Sequence, residues 1–350
     1  MSRNRHLVVI LVCVLALALV VTGGVWAATG KVKPKPKTPA NPKNKATLGT
    51  HQMAGEDHAL IGTTYTLGKA NPINVTLDKV EYTVEPVRIG SSIFAPRADQ
   101  KLMVLHYSLH NCVPRNYGIS WGTLEITAVD ANDTNWRYVT QIGIEDTLEQ
   151  CNMSLKPGQK TKVYTCIVVP AKGEIPKLML QSGDKLVLRY DLRGKLKPLP
   201  PPIADPADPT GATALEKVPA QMGVYYAYKE HFGEVDSVAF STTPINGKAP
   251  PKNCRYLLVI GKGKNPHPAK FRYSWGTFAP KLQDVDGGTV SWGDTVLFAS
   301  RDDTLNAEVE QGQEIGFRIL YIVKNGVQLK SLSMSEGGGR QYVYDVSSVK

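Results

Sequence analysis

Seven histidines are scattered through the 350-residue chain: His6, His51, His58, His106, His110, His231 and His267. His106 and His110 stand four apart in an alternating stretch that reads as a strand, so both point to one face, about 13 Å apart. That is too far for a shared metal, and no Glu lies between them as a helical zinc motif requires. They read as two surface histidines. Ser120 and Ser274 sit in no Gly-x-Ser-x-Gly elbow, and nothing orders a His and an Asp around either. Asp130, Asn132 and Asp133, and again Asp284 and Asp286, are oxygen-rich turns. A calcium loop needs a spaced Glu that neither stretch supplies, and Asx side chains also cap their own turns. The chain is therefore expected to hold no metal and no cofactor, and not to be an enzyme.

Two residue types remain. Trp121 and Trp275 each sit in a Ser-Trp-Gly-Thr block and are the candidate ligand-binding residues, able to stack on sugar or peptide. The alternative is a structural anchor whose indole N–H finds a backbone carbonyl. Beyond Cys13 the cysteines are Cys112, Cys151, Cys166 and Cys254. A hairpin turning on Gly158-Gln159 would set Cys151 directly opposite Cys166, close enough for a disulfide. A Cys112–Cys151 bridge and four reduced thiols are the competing outcomes.

The elements that must position these residues repeat. Asn111–Thr123 aligns without gaps on Asn265–Thr277, with six identities at an offset of 154, and Tyr190-Asp191 recurs as Tyr344-Asp345 at the same offset. Units of about 130 residues in duplicate are implied. Their periodicity is two: Met103, Leu105, Tyr107 and Leu109 line one face, and Leu102, Val104, His106 and Ser108 the other. Leu124, Ile126 and Ala128 alternate with polar neighbours, as do Leu186, Leu188 and Tyr190. Ile315, Phe317, Ile319, Tyr321 and Val323 hold the period for five steps. Short strands broken by frequent turns predict an all-β chain of two tandem antiparallel immunoglobulin-like β-sandwiches, with an eight-stranded barrel as the alternative.

The expected divisions are a targeting segment over 1–27, a Lys/Pro-rich spacer over 28–58, sandwiches over 59–193 and 221–350, and a Pro-rich linker over 194–220. That linker carries six prolines between Pro198 and Pro209. Arg3 and Arg5 precede an apolar run, and Val25 and Ala27 suit a signal-peptidase site after Ala27. Leu7–Ala27 is also long enough to remain as a membrane anchor. Both readings place the bulk of the chain outside the cytoplasm, secreted or held at the membrane. The net charge of +10 is concentrated at the start: eight Lys and Arg precede the first acidic residue, Glu56, leaving 33 basic against 31 acidic residues. A nucleic-acid-binding body is excluded on that balance.

Unit one has a strand ending in Asn111, an Asp130-centred turn, then Leu155-Lys-Pro157-Gly158, a strand and Val169-Pro170. It resembles the immunoglobulin-like domain of unknown function of exported and lipid-anchored bacterial proteins, in the superfamily of the mycobacterial immunoprotective extracellular antigen. The likeness covers about Ala59–Asp191 and, more weakly, Val224–Asp345, where Leu-x-Pro-Gly is reduced to Glu310-Gln311-Gly312. It implies an extracytoplasmic sandwich and no established chemistry; this chain lacks the lipobox of the lipid-anchored members. The function expected is binding or adhesion at the cell envelope, toward a cell-wall polymer or an envelope protein. The alternative is a structural spacer or an accessory subunit of an envelope complex.

Overall fold

The computed structural model describes residues 59–183 and 186–350. The targeting segment over 1–27 and the spacer over 28–58 lie outside the described residues. Among the described residues the chain is all-β, and no helix is long and apolar enough to cross a membrane.

Three strands of 11 residues, Ile73–Thr83, Gln100–His110 and Lys160–Pro170, form the centre of the first large sheet, flanked by Thr64–Leu67 and Gly143–Ile144. The facing sheet runs Val187–Asp191, Lys177–Gln181, Glu125–Val129 and Asn135–Arg137. Met103, Leu105, Tyr107 and Leu109 meet Ile126, Ala128, Leu178 and Leu188 in one core. Each such aliphatic side chain taken out of water contributes about 1.5–3 kcal/mol. The outer face of Gln100–His110 is covered too. Leu102, Val104, Tyr164 and Cys166 pack beneath Ile89 of the hairpin Val87–Ile89/Ser92–Phe94. Leu186 departs from the expected alternation: it is exposed, and its strand begins at Val187.

The second sandwich repeats the plan. His231–Ser241, Cys254–Lys264 and Glu314–Lys324 are again 11 residues each. Opposite them lie Lys217–Ala220, Gln341–Asp345, Leu329–Met334 and Lys281–Asp284. Phe317, Ile319, Tyr321 and Val323 fill its core, while Ile322 is exposed on the other face. Among the described strands one ladder is parallel. Lys217–Ala220 runs parallel to Gln341–Asp345, and Ala59 makes the matching parallel bridge to Tyr190.

The correspondence at offset 154 extends to hydrogen bonds. Asn111, fully buried, donates from Nδ2 to the carbonyls of Arg115 (2.7 Å) and Leu155 (2.9 Å), and its Oδ1 accepts from Val113 N (3.0 Å). Asn265 does the same with Ala269 (2.8 Å), Val309 (2.8 Å) and His267 N (2.9 Å). The backbone carbonyls of Asn111 and Asn265 accept from Gly158 and Gly312, two glycines at positive φ (76° and 75°). A side chain at either glycine would strain the turn.

One expectation is corrected. The hairpin that would set Cys151 opposite Cys166 does not form. Lys160–Pro170 pairs with Gln100–His110 on one side, placing Cys166 opposite Val104, and with Gly143–Ile144 on the other. Both of its edges are thus taken, and Met153–Leu155 pairs with Tyr117–Ile119 instead. Cys151 belongs to the inter-sheet core and Cys166 to the outer cluster, and all four described cysteines are free.

The Pro-rich segment over 194–220 packs against the sandwiches. Leu199, Ala212 and Ala214 belong to the first core, and Ile203 packs against both cores. Lys101, 0% exposed, donates from Nζ to the carbonyls of Ala171 (3.3 Å), Gly173 (2.5 Å) and Ala212. Arg340, also buried, donates to the carbonyls of Leu215, Ala98 and Gln100. The connector is thereby fastened to the first sandwich by one lysine and to both by one arginine.

Candidate functional site

Trp121 and Trp275 are both exposed, by 53% and 57%. Each opens a single 3-10 turn, Trp121–Thr123 and Trp275–Thr277. The turn is held from within: the hydroxyls of Thr123 and Thr277 accept from Ser120 N and Ser274 N, each at 2.9 Å. Tyr138 adds a hydrogen bond from its hydroxyl to the Trp121 carbonyl at 2.7 Å. Neither indole is packed into a core, and both stand in a locally held turn.

Beside the Trp121 turn the first sandwich opens into a cleft of about 760 Å³. Its polar lining includes Asn71, Arg115, Asn116, Tyr117, Ser120 and Thr123. Gly68 sets one wall: it stands at φ +91°, and a Cβ there would collide with the Asn71 carbonyl. That turn delivers Asn71 to the cleft, where its Oδ1 accepts from the Arg115 guanidinium and its carbonyl accepts from the Tyr117 hydroxyl at 3.2 Å. The opposite wall follows from the buried Asn111, which pins the Arg115 carbonyl and so the start of the Arg115–Tyr117 stretch. The cleft lining thus combines a phenol, two amides and a guanidinium, and the exposed Trp121 stands between its lining residues Ser120 and Gly122, a set suited to a polyhydroxylated ligand.

The second sandwich keeps the tryptophan and loses the cleft chemistry. Ala269 stands where Arg115 does, Phe271 where Tyr117 does, and Arg272 where Gly118 does. Gly118 is exposed with nothing near its missing side chain, whereas Arg272 fills that position and bonds Asn306 Oδ1 at 2.9 Å. Lys270, at the position of Asn116, is paired to Glu310 at 2.7 Å.

The oxygen-rich turns are self-capped. Asp130 Oδ1 accepts from Asn132 N (2.8 Å) and Thr134 N (2.9 Å), and its Oδ2 accepts from Trp136 Nε1 (3.0 Å). The Trp136 bond leads the causes that hold its carboxyl below the usual range. Asp284 accepts from Gly288 N at 2.6 Å. Among the described residues no group of three His, Cys, Asp or Glu side chains is arranged to hold a metal.

A second cluster is invisible in the sequence pattern. His106 lies between two carboxylates, with Nδ1 2.5 Å from Glu145 Oε1 and Nε2 3.2 Å from Glu81 Oε1. A neutral imidazole donates to only one of them at a time. Glu81 also takes Lys79 at 2.5 Å. A hollow of about 460 Å³ opens here, with Arg88 and Tyr164 in its wall. His106 is therefore half-buried in an ion-pair network. His110 lies apart from it, its Nδ1 3.1 Å from Asn74 Nδ2. A bulge assembles the cluster: the pairing of Ile73–Thr83 with Gln100–His110 shifts between Leu77 and Lys79, which sets Lys79 opposite His106 and brings Glu81 within reach.

No family model matches the chain, and no curated protein does. Among solved structures it is similar to an uncharacterised β-sandwich protein of Clostridium difficile 630, at 13% identity and a TM-score of 0.31, over 40% of this chain and 99% of that one. It is similar to the secreted protein MPT63 of Mycobacterium tuberculosis at 15% identity and a TM-score of 0.30, over 40% and 99% of the two chains. A putative lipoprotein of Bacillus subtilis, YcdA, is similar at 13% identity and a TM-score of 0.28, with 39% of this chain matched to 40% of that one.

Proposed function

We propose that the chain is a non-enzymatic binding protein of the cell envelope, exported or anchored by its N-terminal segment, whose first sandwich holds a polyhydroxylated ligand such as a cell-wall polymer. The observation that carries this reading is the open polar cleft beside the exposed Trp121. The basic-then-apolar start of the chain supports export. The paired Asn111 and Asn265 frames support descent of the two halves from one duplicated domain of the immunoglobulin-like kind. The spacer or accessory-subunit reading draws on the packed connector and on the hydrogen bonds of Arg340.

Binding is tested with the full chain and soluble peptidoglycan fragments or glycan oligomers. Gly118→Arg copies the second sandwich into the first and fills the cleft without touching the core, and Trp121→Ala removes the indole. Each is expected to weaken binding at least tenfold with the fold intact, whereas Trp275→Ala leaves it unchanged. Equal binding by all three variants and the parent would assign the cleft no role and favour the spacer.

A further inference from the structure

The cleft has a charge character that its volume and aromatic edge do not by themselves require. Among its described lining residues Arg115 is the only charged one. Its guanidinium is oriented by two neutral acceptors, Asn71 Oδ1 and the Ala70 carbonyl at 3.4 Å. It makes no ion pair with a carboxylate among the described residues. Several other surface cations are already paired: Lys177, Arg193, Lys262, Lys270 and Arg301 are each within 3 Å of a carboxylate oxygen. An arginine set by neutral groups keeps its full charge for an incoming partner, and its planar fork suits carboxylate or phosphate. In the second sandwich the same position is Ala269, and the neighbouring Lys270 is already neutralised by Glu310.

Resting on the reading of the cleft as a ligand site, we infer that the first sandwich recognises an anionic polyol polymer, with Arg115 on the acidic group and Trp121 and Tyr117 against the carbon skeleton. The shared chemistry is an oxyanion spaced along a hydroxylated chain, supplied by a sugar carboxylate or by a phosphodiester. The second sandwich takes no part in reading the charge.

The test is calorimetric titration of the full chain with three probes: an oligogalacturonate, a short poly(glycerol phosphate) and an uncharged chitooligosaccharide. The expected result is that at least one anionic probe binds tenfold or more tightly than the neutral one, and that this preference shrinks as salt rises. Arg115→Gln is expected to abolish the preference, bringing the anionic probes to within about twofold of the neutral one measured on the same variant. Arg115 is exposed, its side-chain bonds to Asn71 and Ala70 are at the surface, and its buried contact to Asn111 is through the backbone carbonyl, so the substitution is not expected to unfold the chain. Which anionic probe wins separates the carboxylate from the phosphodiester. Neutral and anionic probes binding alike, with Arg115→Gln silent and Trp121→Ala damaging, would overturn this inference and leave the cleft reading standing. Failure of both anionic probes to bind would overturn the inference outright. Binding of an anionic probe that survives both Arg115→Gln and Gly118→Arg would overturn the inference and the cleft reading together.

Discussion

Lys101 offers a quantitative handle on the connector. It is a buried ammonium whose three acceptors are the carbonyls of Ala171, Gly173 and Ala212, with the Tyr82 ring 4.2 Å below it. Three charge-assisted bonds are worth about 1.5–3 kcal/mol each. Against this, burial pulls the ammonium down to about 8 from an ordinary 10.5, opposed by Asp208 and Glu174 and assisted by Arg340. That displacement is a cost of about 3 kcal/mol for holding the charged form. Lys101→Met keeps the aliphatic stem, removes the charge and strands three acceptors. The net loss expected is about 2–5 kcal/mol at pH 7.5. Because the folded chain releases this proton before the unfolded chain does, stability rises with pH between about 8 and 10.5. From pH 7.5 to 9.5 the parent gains about 2 kcal/mol from this residue, and Lys101→Met gains nothing. Urea unfolding of both proteins at the two pH values measures it, since tyrosines and thiols common to both cancel in the difference. Equal midpoints at pH 7.5, or parallel pH dependences, would refute the account of Lys101 as the connector's tie.

Asn111→Ala and Asn265→Ala each remove three buried hydrogen bonds of the same geometry and should cost about 2–4 kcal/mol apiece; denaturant titration that finds either one silent would show that turn to be self-sufficient. In a native thiol-labelling time course Cys254, half-buried, should react first among the cysteines after residue 58. Cys112, Cys151 and Cys166 should wait for unfolding, the last two with thiols pushed by burial to about 11 and about 12. A Cys151–Cys166 peptide in a non-reducing map would reinstate the hairpin that the sheet pairing excludes.

The strand faces were legible because the period of two is a property of the chain itself. Met103 to Leu109 and Phe317 to Val323 declare their buried faces without any partner being known. The duplicated Ser-Trp-Gly-Thr blocks were legible for a related reason: Ser120 and Thr123 bond each other locally, so the motif carries its own geometry. What failed was long-range pairing. Counting outward from Gly158 assumed that the two flanks of one turn must pair, yet Lys160–Pro170 finds an 11-residue partner in Gln100–His110. The more extensive ladder wins. His106 with Glu81 and Glu145 was hidden by the bulge at Leu77/Lys79, which no alternation pattern announces. The cleft was hidden likewise, since Asn71 and Arg115 meet only after Asn111 has fixed its turn. In the connector, prolines were weighed and Leu199, Ile203 and Leu215 were not, although those apolar residues are what dock it.

That docking sets an order of events during synthesis. Residues 59–193 emerge with every strand of the first sandwich but without Leu199, Ala212 and Ala214, and with Lys101 still short of its Ala212 acceptor. The first half can collapse at that stage, yet it closes only once residue 214 is clear of the ribosome. Arg340, which grips Ala98 and Gln100 from the far end of the chain, arrives last. The nascent chain therefore matures in two steps, with a half-sealed first barrier to aggregation standing open while the second sandwich is made.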